Sequence, residues 1–172
     1  MATGPRYAVR FKRRREGKTN YRKRVASLKS DSIRLVIRRS NSYIQAQFVK
    51  YEQTGDKTLL TVNSILLSKK FGWKYSCKNT PAAYLLGLLA GKLAVKAKIN
   101  EAIADIGLNT VAKGSSIFAV VKGVADAGLK INFNPKILPS EERISGKHIA
   151  AHFKNKIMED FLAVKAKIIS NA

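Results

Sequence analysis

Thr80 to Gly91 form an uncharged run in a chain where 26% of residues are charged, inside the stretch NTPAAYLLGLLAGKLAVKAKI, residues 79–99. The run is far shorter than the roughly 20 residues a bilayer span needs, so it predicts the core helix of a soluble domain. Thr80 is a good N-cap and Pro81 suits the first helical position. Lys92, Lys96 and Lys98 gather near the end, where the helix dipole favours cations. Ala83, Gly87 and Gly91 recur at four-residue steps. The same ridge occurs in membrane helix dimers, but here it predicts close approach of the helix to a sheet.

The sheet itself is legible upstream. In SIRLVIRRSNSYIQAQFV, Ile33, Leu35 and Ile37 alternate with Arg34, Val36 and Arg38, and a Ser40 to Ser42 turn leads into Tyr43 to Val49. Period two with a polar turn predicts a β-hairpin. Alternation puts Arg34 and Arg38 on one face and Tyr43, Gln45 and Gln47 on one face of the second strand. If the register joins these faces, they form a polar platform. KTLLTVNS, residues 57–64, follows a Gly55-Asp56 turn and predicts a third strand of an antiparallel meander. Downstream, EAIADIG (101–107) reads as a buried strand and SSIFAVVKGVADAGL (115–129) as a helix begun by Ser115 or Ser116 and stopped at Gly128. KINFNPK opens a last short strand, and the residues after Pro139 supply one or two terminal helices. This order implies an α/β domain with a mixed sheet and helices against it.

Charge bounds the partner. The net charge is +22, far past the magnitude of about 2 to 8 that solubility requires. Residues 1–30 hold 11 of the 33 basic residues and 1 of the 11 acidic ones, yet the remainder is basic too. An extended polyanion fits such a spread better than a small acidic ligand. Residues 1–18, punctuated by Gly4, Pro5 and Gly17, hold too few apolar residues to build a core and read as a basic arm that orders on its partner. Thr19 or Asn20 then caps a short helix with Tyr21, Val25 and Leu28 at helical spacing. Its remaining surface is cationic, through Arg22, Lys23, Arg24 and Lys29. An Arg-rich, acid-poor start resembles an organelle transit peptide, but this helix continues it as structure, and no secretory signal is read.

Catalytic patterns fail one after another. His148 and His152 stand at i and i+4, but Ile149 occupies the position where a zinc-protease motif carries glutamate, and no third ligand is indicated. No Walker or GxGxxG glycine pattern occurs, and the acidic residues are scattered rather than paired across a site. The lone Cys77 excludes an intrachain disulfide and a cysteine-based zinc site, and it fits a reducing cytoplasm. A cationic membrane anchor would need large apolar residues opposite its charges, and no such helix is found. The expectation is a protein without catalytic residues, metal, cofactor, small-molecule substrate or membrane. Recognition of nucleic acid remains: cations neutralise phosphates and release counterions, while Tyr7, Phe11, Tyr21, Tyr43, Trp73 and Tyr75 offer rings for stacking on unpaired bases. A DNA-binding nucleoid or chromatin protein has the charge alone in its favour.

Five stretches in order, RYAVRFKRRREGKTNYRKR, RLVIRRSNSYIQAQFV, NTPAAYLLGLLAGKLA, IFAVVKGVADAGL and PSEERISGKHIAAH, resemble the archaeal and eukaryotic type of the 5S rRNA-binding large-subunit ribosomal protein family, the eighteenth in the universal naming. They run across roughly residues 6–152. The resemblance implies a single small α/β domain whose mixed sheet joins an antiparallel hairpin and meander to a parallel βαβ part, in the ribonuclease-H-like fold of translational components. It divides the chain into a basic extended arm (1–18), an RNA-binding core (19–138) and a C-terminal helical extension (139–172). It implies a non-catalytic component of cytoplasmic ribosomes. Its partners are 5S rRNA, 23S rRNA and neighbouring proteins of the central protuberance.

Carried over by position, Arg6, Tyr7, Arg10, Lys12, Arg13, Arg14, Arg15 and Lys18 thread between RNA helices. Tyr21 joins them, with Arg22 and Arg24 on phosphates. Arg38, Arg39, Asn41, Tyr43 and Gln45 in the hairpin, and Lys78, Asn79 and Thr80 at the helix start, face 5S rRNA. A helix amino end suits a phosphate on physical grounds as well. After ISGKHIAAH the chain departs from the long acidic tails of some members, and the resemblance assigns no contacts to its last 18 residues.

Overall fold

The fold is that of a computed structural model, which describes residues 4–154 and 156–171. Strands β1 (Arg34–Arg39) and β2 (Ile44–Lys50) form the expected hairpin, and β3 (Lys57–Asn63) extends it antiparallel. Ser40 closes the turn: its hydroxyl accepts from the Tyr43 amide at 3.0 Å and donates to the Tyr43 carbonyl at 2.9 Å. β4 (Ile103–Asp105) lies parallel to β1, giving the order β3-β2-β1-β4. The sheet is therefore mixed, as the order of elements implied. The 101–107 segment is shorter and more exposed as a strand than expected, because β4 is an edge strand with one partner and sits half-buried. The expected last strand at 130 shrinks to a single parallel bridge between Glu101 and Lys130. Asn134 then caps a 3-10 turn, Pro135–Ile137, whose proline has no amide to lend a ladder.

One sheet face supplies the core. Leu35, Ile37, Ile44, Ala46, Phe48 and Val62 are buried, as their alternation demands. Helix α4 (Thr80–Lys96) lies across them, buried nearly all round. Its N-cap is Asn79, whose side chain accepts from the Ala82 amide at 2.9 Å, so Thr80 and Pro81 begin the first turn instead. The glycine ridge meets another helix, not the sheet. A β-carbon built on Gly87 would stand 2.2 Å from the Val120 carbonyl oxygen of α5 (Ser116–Asp126), and one on Gly123 would stand 2.3 Å from the Tyr84 carbonyl oxygen of α4. Backbone thus rests on backbone. Tyr84 adds a tie by donating its hydroxyl to Asp126 Oδ2 at 2.9 Å.

The carboxyl-terminal part carries three helices among the described residues, α6 (Glu141–Ser145), α7 (Lys147–Phe153) and α8 (Ile157–Asn171), where one or two were expected. Ile144 of α6 and Ile157, Phe161, Val164 and Ile168 of α8 are buried in the same hydrophobic cluster as α4. Each side chain buried in this way contributes about 1.5–3 kcal/mol, so α8 is part of the domain's stability. A further helix, α3 (Ile65–Phe71), follows β3 where the sequence reading placed only the strand's end, and Gly72 at φ 77° stops it. No helix of the described residues is long and apolar enough to cross a membrane.

Candidate nucleic-acid interface

The cations of the amino-terminal segment stand clear of the core: residues 4–18 are all exposed. Lys12–Arg15 make one helical turn, α1, and the chain then folds back, with Arg13 Nε donating to Thr19 Oγ1 at 2.8 Å. Phe11, 72% exposed, rests its ring 5.3 Å from that of Tyr21. Tyr21 opens helix α2 (Tyr21–Leu28), capped by Asn20, whose side chain accepts from the Lys23 amide. Arg6, Tyr7, Arg10, Lys12, Arg14, Arg15, Lys18, Arg22 and Lys23 all reach solvent, and Lys18 pairs with Glu16 at 2.9 Å.

A chain of alternating charges holds α2 against the sheet. Arg24 Nη2 donates to both carboxylate oxygens of Asp56, at 3.0 and 2.9 Å. Arg34 Nη2 lies 2.9 Å from the same carboxylate, off the axis of a directed hydrogen bond. Arg34 Nη1 lies 3.3 Å from Asp105, and Arg38 approaches Asp105 from the other side, also at 3.3 Å. Arg34 is only 2% exposed, so it leaves the expected platform: its side of the strand is covered, and two aspartates offset its buried charge. Burial works against ionisation of Asp56, but the guanidiniums of Arg34 and Arg24 outweigh it and hold this carboxyl below its ordinary value. A lowered folded value stabilises the domain above the unfolded value of 3.8, and that stabilisation is lost as pH falls through and below it.

Asp56→Asn should therefore cost about 2 kcal/mol, below the roughly 3–5 kcal/mol for stripping a buried charge of its sole partner, because Asp105 remains. Urea melts at neutral pH would show the loss. The gap between variant and parent should narrow below about pH 4, and an equal gap at pH 3 would contradict the charge mechanism.

The platform does form from the other residues. Arg38 stands opposite Gln45 and Val36 opposite Gln47, and Gln47 donates to Thr61 Oγ1 at 3.1 Å. Arg39 and Asn41 are exposed at the turn, and Tyr43 is half-buried beside them. Lys78 is exposed at the start of α4, while Asn79 spends its side-chain oxygen on the helix cap and Thr80 is half-buried. Trp73 is not available for stacking: it is 1% exposed, donates its indole N–H to the Ser76 carbonyl, and belongs to the core. Tyr75 donates its hydroxyl to Asp160 of α8 at 2.8 Å. Burial pushes the Cys77 thiol up, away from the thiolate a nucleophile needs. His148 and His152 lie on α7, and among the described residues no three His, Cys, Asp or Glu converge as a metal site requires.

One groove joins these elements. It runs between α2 and β4, with Arg13, Lys18, Lys23, Arg24 and Arg38 around it and Ile103 to Gly107 along its far wall. It does not include Arg39, Asn41, Tyr43, Lys78 or Thr80, which stand at the hairpin end and the start of α4. Sequence reasoning missed its small-residue wall of Ala26, Ser27 and Ser30 and the pairing role of Asp56 and Asp105. These residues carry no local pattern; only the fold brings them together.

Residues 5–103 match the family described as ribosomal large subunit proteins 60S L5 and 50S L18. The chain is 51% identical to the large ribosomal subunit protein uL18 of Methanoregula boonei over 152 residues, 88% of this chain and 87% of that protein. It is 50% identical to the large ribosomal subunit protein uL18 of Korarchaeum cryptofilum over 160 residues, 93% of this chain and 81% of that one.

Proposed function

The chain belongs to the family of ribosomal large subunit proteins 60S L5 and 50S L18 and is a structural, non-enzymatic, rRNA-binding component of the large ribosomal subunit; from this premise we propose that the RNA it holds is 5S rRNA. In this reading it seats 5S rRNA against 23S rRNA and neighbouring proteins in the central protuberance of cytoplasmic ribosomes. The observation that carries it is the segregation of charge: an exposed amino-terminal segment of cations, continued by the outer face of α2 and the hairpin end. Arg6, Arg10, Lys12, Arg14, Arg15 and Arg22 take phosphates, Tyr7 and Phe11 offer rings to unpaired bases, and Arg39, Asn41 and Tyr43 approach from the hairpin. Arg24, held by Asp56, positions α2 rather than reaching far from the sheet.

Binding of purified 5S rRNA should survive a large excess of duplex DNA. Equal affinity for both polymers would overturn the proposal, because charge alone does not choose between them.

Tyr43→Ala tests the hairpin. The backbone there is held by Ser40, so the ring can be removed without unmaking the turn. A stacked ring is worth about 1–3 kcal/mol per base, hence a loss of roughly 5- to 150-fold in RNA affinity with an unchanged melting temperature. A lower melting temperature with full affinity would make the ring a packing element instead.

A further inference from the structure

We propose that the groove between α2 and the free edge of β4 receives a single unstacked ribonucleotide of the bound RNA. This rests on the RNA-binding reading above and adds a site to it. The groove encloses about 570 Å³, within the roughly 300–1,000 Å³ of small-ligand clefts. That admits one nucleotide and excludes a duplex. Folded RNA is commonly recognised through bases turned out of their stack.

The lining suits such a guest at both ends. Arg13 and Lys23 line the groove with no carboxylate against them among the described residues, and Lys18 lines it beside its partner Glu16, so an anion there is still to be supplied. The acid in the wall, Asp105, is already matched by Arg34 and Arg38. Ala26 and Ile103 give the lining an apolar part, a surface on which a base can lie, while the side chains of Ala104 and Ile106 pack against the core. β4 is an edge strand, and Ile103 turns its amide to β1, donating to the Ile33 carbonyl at 2.9 Å. Alternation therefore directs the N–H and C=O of Ala104 away from β1. A donor and an acceptor side by side can read the edge of a base. A protein strand could use the same edge, but a strand without acidic side chains would leave Arg13 and Lys23 unmatched.

The test uses the full chain bound to 5S rRNA carrying photoreactive 4-thiouridine or 6-thioguanosine, with crosslinked peptides read by mass spectrometry. Crosslinks should appear within Ile103 to Gly107 and within α2, at one nucleotide. Crosslinks elsewhere on the chain with none in these segments would overturn the proposal. Ala26→Trp fills the groove while leaving every cation in place. It should lower affinity on the order of tenfold, the scale of one lost base contact, with unchanged melting, and a folded variant with full affinity would overturn the site. Should that variant also fail to enter subunits reconstituted from total ribosomal protein and RNA, the groove belongs to a protein strand. Absence of any 5S rRNA binding would bring down the underlying reading as well, whereas binding with a silent groove brings down this inference alone.

Discussion

Gly123→Ala should remove a large share of the domain's stability. The added methyl would stand 2.3 Å from the Tyr84 carbonyl oxygen and 2.8 Å from the Leu88 nitrogen, both of them backbone atoms of α4. A rotating side chain cannot relieve such a contact; the two helices must move apart. Gly87 poses the same problem in reverse, at 2.2 Å from the Val120 carbonyl oxygen. Separation by even half an ångström to an ångström forfeits a quarter to a half of each dispersion well along the contact. That contact includes Tyr84, Leu88, Val120 and Val124, all buried. Overpacking usually costs about 1–3 kcal/mol, with flexible neighbours sharing the strain. Here the obstacle is main chain at the centre of the core, so about 4 kcal/mol or more is expected against a total stability of roughly 5–15 kcal/mol. Helix propensity pulls the other way by about 1 kcal/mol. A urea or thermal melt decides between the two effects, and a variant as stable as the parent would show that the helices do not touch through these glycines.

That contact also shows what the sequence could and could not convey. Four-residue spacing of Ala83, Gly87 and Gly91 says that something comes close to one stripe of the helix. It does not say what, and the answer depended on Gly123, 36 positions beyond Gly87, offering a matching gap. The hairpin was readable because its information is local: alternating side chains set the faces, and Ser40 sets the turn. β4 was harder to place because its length is limited by its neighbours, one strand on one side and a groove on the other. Trp73 could not be assigned for a related reason. Its neighbours leave stacking and core both open, and only the turn at Gly72 carries the indole inward.

The candidate interface divides along the same line. Charge density is additive and needs no fold, so the arm and α2 stood out at once. Which of those cations are free to meet RNA is a tertiary question. Arg24 reaches Asp56 across 32 positions and Arg34 reaches Asp105 across 71, separations that no periodicity encodes. The consequence is a division of labour among arginines of identical chemistry: Arg34 is structural, Arg24 and Arg38 are tethered at the groove, and those of the arm are unconfined by the core.

Removing residues 1–18 isolates that last group. The segment carries seven basic side chains and one acidic one, and every described residue in it is exposed. Asn20, which caps α2, and the Arg24–Asp56 contact both remain in the shortened chain. The domain should therefore melt cooperatively at nearly the parental temperature. RNA binding should respond very differently. Each phosphate neutralised contributes about 0.7 to 0.9 to the slope of log affinity against log salt. If all seven cations lie on phosphates, the slope falls by about 5 or 6 units, and the variant loses several orders of magnitude in affinity at low salt while converging on the parent as salt rises. Aromatic contacts by Tyr7 or Phe11 would add a loss that salt does not remove, so the residual gap at high salt separates stacking from charge. An unchanged slope would mean that these cations meet solvent in the complex, and a broadened or missing transition would mean that the segment helps to build the domain that displays it.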